Sequence, residues 1–267
     1  MSQSWQHGAF GHERVGRKKL SPHRLWWCSL VVVMGFTCAS CRGSTSVTDT
    51  RPLNLNEASR LSEVLYRNHV IGRARFELYS VTEQNGSQVF MSGEVDWAEA
   101  LGIAEIRVDS EGSSLAAVAW FGDFVAEHRP TLDGFLRVRG VQSPSFVVRR
   151  ADSYRRLDTI IKIIASLATT TPENQLLIRQ APGSAYLRED ILRGVSVDVM
   201  RYGETSVYWI SKADRSLMRF EGNDRSGKLP IVVDLLPSSS GTIALPPMTQ
   251  LIQLERVPEI ESALTGF

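Results

Sequence analysis

Runs of alternating apolar and polar residues on both sides of a helical middle constrain this chain most. They call for an antiparallel sheet with one apolar face. Ala74, Phe76 and Leu78 alternate with Arg75, Glu77 and Tyr79, and Asn85-Gly86 then supplies a tight hairpin signal. The returning run puts Val89, Met91, Val95 and Trp97 on one side and Ser92, Glu94 and Asp96 on the other. Two runs at 103–108 and 115–121 flank Asp109-Ser110-Glu111-Gly112, and runs at 124–128 and 132–138 complete a meander, with a short strand at 145–149. After the middle, the pattern resumes at 185–187, 194–201, 206–210, 217–221, 229–235 and 242–245.

Two stretches follow a helical period instead. Leu55, Ala58, Leu61, Val64, Leu65 and His69 predict a helix over about 56–69, with Asn54 or Asn56 able to cap it. Leu157, Ile160, Ile161, Ile164 and Leu167 line one face of a second helix. Thr170-Thr171-Pro172-Glu173 reads as the start of a third, running to about Arg179. Residues 248–251 and 259–264 read as short helical turns. The fold class is therefore α+β, one domain over residues 56–260 with helices against the apolar sheet face. The pattern leaves two interiors open: a sealed core, or helices held apart over an apolar hollow.

The amino terminus has a separate character. Arg14, Arg17, Lys18, Lys19 and Arg24 precede an apolar run at 25–39, and Ala39 and Ser40 lead into Cys41. This is the order of an export signal, and its apolar core is short for a membrane span. A cysteine placed so resembles the lipobox of bacterial lipoproteins. The resemblance implies cleavage of residues 1–40 and lipid attachment at Cys41. Cys38, an ordinary secretory signal and a retained anchor stay open as poorer alternatives. Residues 41–55 then read as a flexible tether, rich in serine and threonine.

Composition narrows the function classes. Cleavage would leave 227 of the 267 residues, with no cysteine after Cys41, which removes thiol catalysis and cysteine metal sites. The chain has 30 basic and 29 acidic residues. The first 40 hold five and one of these, so the remainder carries 25 against 28, a net charge of −3. A slightly acidic body argues against nucleic acid as a partner.

No catalytic motif stands out, and the chain does not read as an enzyme. His69 and His128 lack metal-ligand spacing, so neither a metal nor a cofactor is expected. Glu94 and Asp96 share a strand face and read as solvated rather than as a glycosidase pair. Arg149, Arg150, Arg155 and Arg156 form a basic cluster that reads as solvated surface, with lipid-phosphate contact as the alternative.

The order of elements over about 56–254 resembles the actinobacterial lipoproteins of the mycobacterial LprG/LppX type, whose fold is LolA-like. The matching pieces are Ser92-Gly93-Glu94-Val95-Asp96-Trp97, Asp133-Gly134-Phe135-Leu136-Arg137-Val138 and Leu192-Arg193-Gly194-Val195-Ser196-Val197, then residues 207–220 and 244–252. The resemblance implies a curved antiparallel sheet, an unclosed half-barrel wrapped over helices. It also implies an envelope lipoprotein on the outer face of the cytoplasmic membrane that binds or carries an acylated lipid or glycolipid, with envelope transport proteins as partners. Under that reading Leu78, Met91, Val95, Trp97, Ile106, Val118, Trp120, Leu136, Val207 and Trp209 are candidate cavity-lining residues, with Val138 in the same apolar set. The rival is a structural or protein-interaction module with a packed core.

Overall fold

The computed structural model describes residues 50–264 apart from 83–85, 109–113, 143, 225, 226, 239 and 240. The export signal, Cys41, most of the tether, Asn85 and the 109–112 turn lie outside the described residues.

Helix α1 (Leu55–Ile71) starts where Asn54 accepts from the Glu57 amide and Glu57 reaches back to the Asn54 amide, a reciprocal capping box. It stops at Gly72, whose φ of 80° is a backbone state that glycine adopts without strain. Strands β1 (Arg73–Val81), β2 (Gln88–Asp96), β3 (Leu101–Val108), β4 (Ser114–Phe121), β5 (Phe124–His128) and β6 (Phe146–Arg150) follow. The short helix α2 (Asp133–Val138) separates β5 from β6. Next come α3 (Arg156–Ser166) and α4 (Gln175–Gln180). Strands β7 (Ala185–Leu192), β8 (Val195–Tyr202), β9 (Ser206–Ser211), β10 (Leu217–Asn223), β11 (Pro230–Pro237) and β12 (Leu251–Gln253) complete the sheet, and 3-10 turns at Leu254–Arg256 and Pro258–Ala263 follow.

Among the described residues, twelve strands form one sheet in the order β12-β6-β5-β4-β3-β2-β1-β11-β10-β9-β8-β7. Every neighbouring pair is antiparallel except β12 with β6. The two outer strands, β12 and β7, do not pair with each other, so the sheet is not closed into a barrel. This is the α+β arrangement, an unclosed, largely antiparallel sheet with helices on one face, that the resemblance implies.

Three helices cover one face of this sheet. Ala58, Leu61 and Val64 of α1, Ile160, Ile161 and Ile164 of α3 and Ile178 of α4 share one buried core with Phe76, Leu78, Met91, Ile106, Val118, Met200 and Ile210. An ion pair between Arg60 and buried Asp198 ties α1 to β8, and Tyr186 donates to the same carboxylate at 3.2 Å. Beyond β5 the same face carries a second cluster, in which Leu136 of α2 packs on Val147, Val257, Ile260 and Leu264. A buried ionic seam lies between the two clusters. Arg149 donates to both oxygens of Asp158 at 2.5 and 2.8 Å, and Arg129 donates to Glu127 at 2.5 Å.

Four expectations are corrected here. Residues 132–138 are a 3-10 turn running into α2, not a strand. Helical spacing lets Leu132, Phe135 and Leu136 share one buried cluster and leaves Val138 exposed. The third helix starts at Gln175 with Asn174 as its cap, because the amides of Thr169 and Glu173 donate to Leu65 and Ser62 of α1. Residues 242–245 form no strand. The sheet instead ends with β12, after Pro246-Pro247, which lack amide donors. The opposite sheet face is not uniformly polar either, since Ala119, Ala126 and Phe146 cluster there with Leu245 and Leu251, and Val197, Val199 and Trp209 form another patch.

Candidate ligand-binding site

Strand register gathers one set of strand ends around the carboxyl end of α1. Ala74 sits opposite both Val95 and Pro237, Val95 opposite Gly102, Gly102 opposite Trp120, and Trp120 opposite Val125. Two clefts open at this end. The first, of about 730 Å³, lies between α3 and the ends of β2–β5, with Val95, Trp97, Leu101, Trp120, Phe124 and Ile161 among its walls. The second, of about 980 Å³, lies beside the end of α1, with Ile71, Trp97, Leu217, Met218, Leu235 and Pro237. Trp97 borders both.

Local chemistry fixes that tryptophan. Asp96 is buried, is ion-paired with Arg73, and accepts from the Ala98 and Glu99 amides at 3.0 Å each. The Trp97 amide donates to the carbonyl of Gly72 at 2.8 Å, and its indole Nε1–H donates to Ile164 of α3 at 3.0 Å. The indole of Trp120 occupies the space above Gly102, where a Cβ would stand 2.1 Å from the Trp120 Cζ2. Glycine at 102 therefore lets the ring lie flat in the wall of the first cleft.

Burial alone would raise the Asp96 carboxyl, but the Glu99 amide, Arg73 and the Ala98 amide hold it below the usual carboxylate range. Its contribution to stability is present above the unfolded-state value and is lost as pH falls through the lower folded-state value. Glu127 has the opposite sign: burial pushes it up against the opposing pull of Arg129 and Arg149, so its protonation favours the folded state. We expect Asp96→Asn to flatten the loss of stability between about pH 5 and pH 2. Urea unfolding at stepped pH checks this, and a loss as steep as that of the parent would contradict it.

The structure divides the candidate lining set. Val95, Trp97 and Trp120 border the first cleft. Leu78, Met91, Ile106 and Val118 sit at most 1% exposed in the packed centre beneath α1 and α3. Leu136 belongs to the separate α2 cluster. Val207 and Trp209 lie on the sheet face away from the helices, where Arg188 and Arg219 flank the indole, while Tyr208 and Ile210 take the core positions.

Glu94 is half-buried on that far face, whereas Asp96 is a buried ion-pair and turn residue, not a solvated one. The basic cluster is also spoken for. Arg149 holds Asp158, Arg155 holds Glu261 at 2.7 Å, Arg156 donates to Ser80 and the Val81 carbonyl, and Arg150 lies over Phe124. His128 Nδ1 lies 3.1 Å from the Ser145 carbonyl. Among the described residues no group of three or more His, Cys, Asp or Glu could hold a metal ion.

Sequence reasoning missed the second cleft. Its apolar residues sit at strand ends and at the exposed tip of α1, where periodicity carries no signal. The signal that could have found it is an apolar residue left at a turn, Ile71 before Gly72.

No protein-family model matches this chain, and no curated protein matches it. Solved structures do. The Mycobacterium tuberculosis lipoprotein LppX is 8% identical, with 70% of this chain and 97% of that one covered, at a TM-score of 0.43. LprF from Mycobacterium bovis is 9% identical, with 73% and 98% covered, at 0.38. A LolA superfamily protein from Nitrosomonas europaea is 10% identical, with 73% and 96% covered, at 0.27. At these values the likenesses carry no argument about ligand or partner, and strand order and register carry the fold.

Proposed function

We propose that this chain is an extracytoplasmic, lipid-anchored, non-catalytic protein that holds apolar chains of an envelope lipid or glycolipid at the cleft end of its sheet. The observation that carries the reading is the pair of clefts meeting at Trp97, each with an apolar stretch of wall beside charged residues such as Asp123 and Lys162 in the first and Arg73 and Arg193 in the second. Each methylene withdrawn from water contributes about 0.8 kcal/mol, so a long chain binds tightly there without a strong polar motif. Of the four aspartates lining the first cleft, Asp96, Asp123, Asp152 and Asp158, three are engaged: Asp96 and Asp158 by Arg73 and Arg149, and Asp152 by the Tyr154 amide, which supports a non-catalytic role. The sequence pieces at 92–97, 192–197 and 207–220, which resemble LprG/LppX-type lipoproteins, imply the same reading.

A second reading, a packed envelope interaction module, is favoured by the sealed centre around Leu78, Met91, Ile106 and Val118. Native mass spectrometry and solvent extraction of protein made in its own host separate the two. The lipid-binding reading predicts recovery of an acylated lipid. A folded sample that neither carries nor takes up such a lipid supports the packed module.

The anchor is tested separately. Cys41→Ala should abolish acyl modification and release the protein from the membrane fraction or leave it as precursor. Unchanged membrane retention with an unchanged acylated terminus would refute lipid attachment at Cys41.

A further inference from the structure

We propose that Trp97 is the specificity-determining wall of this site, dividing it into two chambers that each take an apolar chain separately. The inference rests on the chain-binding reading above and specifies its geometry. Trp97 is the residue common to both clefts, and it is tied at two points. Its amide is bound to the carbonyl at the end of α1 and its indole N–H to a carbonyl of α3. Asn68 donates to the Leu167 carbonyl at 2.6 Å and so joins the same two helices. On the amino-terminal side, Asp96 is held by Arg73 and by the two amides that follow Trp97. Fixed at the backbone and at the ring tip, the indole acts as a partition rather than a gate.

The chambers also differ in character. Trp120 and Phe124 give the first an aromatic wall, while Leu217, Leu235 and Pro237 give the second an aliphatic one. The length of chain that each chamber shelters from water is therefore set by its own walls. Removing the indole joins the two spaces and relaxes that limit.

The test uses the full chain and straight-chain fatty acids of increasing length, counted by native mass spectrometry. Ala165 is an exposed residue bordering the first chamber, and Ala213 is one bordering the second. Wild type should bind two fatty acids. Ala165→Trp and Ala213→Trp should bind one each, and the double variant none. Trp97→Ala should accept longer chains than wild type, with one long chain in place of two shorter ones. If that variant does not fold, Trp97→Phe keeps an apolar ring and drops the bond to Ile164, and should show the same change to a smaller extent.

A wild type that binds one fatty acid, lost in either alanine-to-tryptophan variant, overturns the partition. So does an unchanged chain-length profile in folded Trp97→Ala or Trp97→Phe. A folded wild type that binds no fatty acid overturns the chain-binding reading itself, and the partition with it.

Discussion

Asp158→Ala should unfold about 3–5 kcal/mol more easily than the parent chain, because it strands a buried guanidinium. The Arg149 side chain is 4% exposed, and both of its terminal nitrogens donate to Asp158. The same carboxylate accepts from the Asp152 amide at 2.6 Å, so it also fixes the turn before α3. Glu127 lies 3.9 Å from Arg149 but is already engaged by Arg129. Replacing both partners with apolar residues of similar size, as in Arg149→Met with Asp158→Leu, removes the stranded charge and should recover most of the loss. Urea unfolding of the single and double variants reads the difference. Equal losses would show that the seam acts through packing and not through charge. Because α3 forms one wall of the first cleft, Asp158→Ala should also weaken retention of a chain there.

Gly93→Ala should be at least as damaging, with a loss above about 4 kcal/mol or no folded product. Gly93 lies on the helix-facing side of β2, opposite Phe76 on one neighbour and Ala104 on the other. A Cβ there would stand 2.1 Å from the Ile103 carbonyl oxygen and 2.7 Å from the Ala104 Cα. Both are backbone atoms, so relief requires β2 and β3 to part. Gly102→Ala makes the informative contrast, since its Cβ meets the movable Trp120 ring. We expect a loss of only about 1–3 kcal/mol for Gly102→Ala, with a changed Trp120 fluorescence. Chemical denaturation and emission spectra check the pair. Gly93→Ala at parental stability would mean that this close strand approach is not essential.

Much of this architecture is legible in residue patterns, because one-sided burial imposes a period. Phe76, Leu78, Met91 and Val95 face the helices as their alternation requires, and the α1 and α3 stripes fall where a helical period puts them. The pattern misleads where two periods fit one stretch. Residues 132–138 satisfy both, and only burial against Val257 and Ile260 decides for a helix. Strand β9 is apolar on both faces across Val207, Tyr208, Trp209 and Ile210, so nothing local told which pair faced the core.

The site was less legible because its defining contacts are long-range. Asp96 reads as a surface acid until Arg73, 23 residues earlier, is brought beside it. Trp97 reads as one more core residue until α3 offers it a carbonyl 67 residues away. The glycine at 102 has no visible purpose until its cross-strand neighbour proves to be Trp120.

The central claim, that apolar chains occupy the clefts on either side of Trp97, is tested most directly by tryptophan quenching with a brominated fatty acid. Bromine quenches an indole that it touches. In protein produced from Cys41 onward three of the six tryptophans remain: Trp97 and Trp120 border the clefts, and Trp209 lies on the far sheet face. The account predicts quenching on titration that persists in Trp209→Phe and is lost when Trp97 and Trp120 are both changed to Phe. Quenching that disappears in Trp209→Phe, or that survives in the folded double variant, would contradict it.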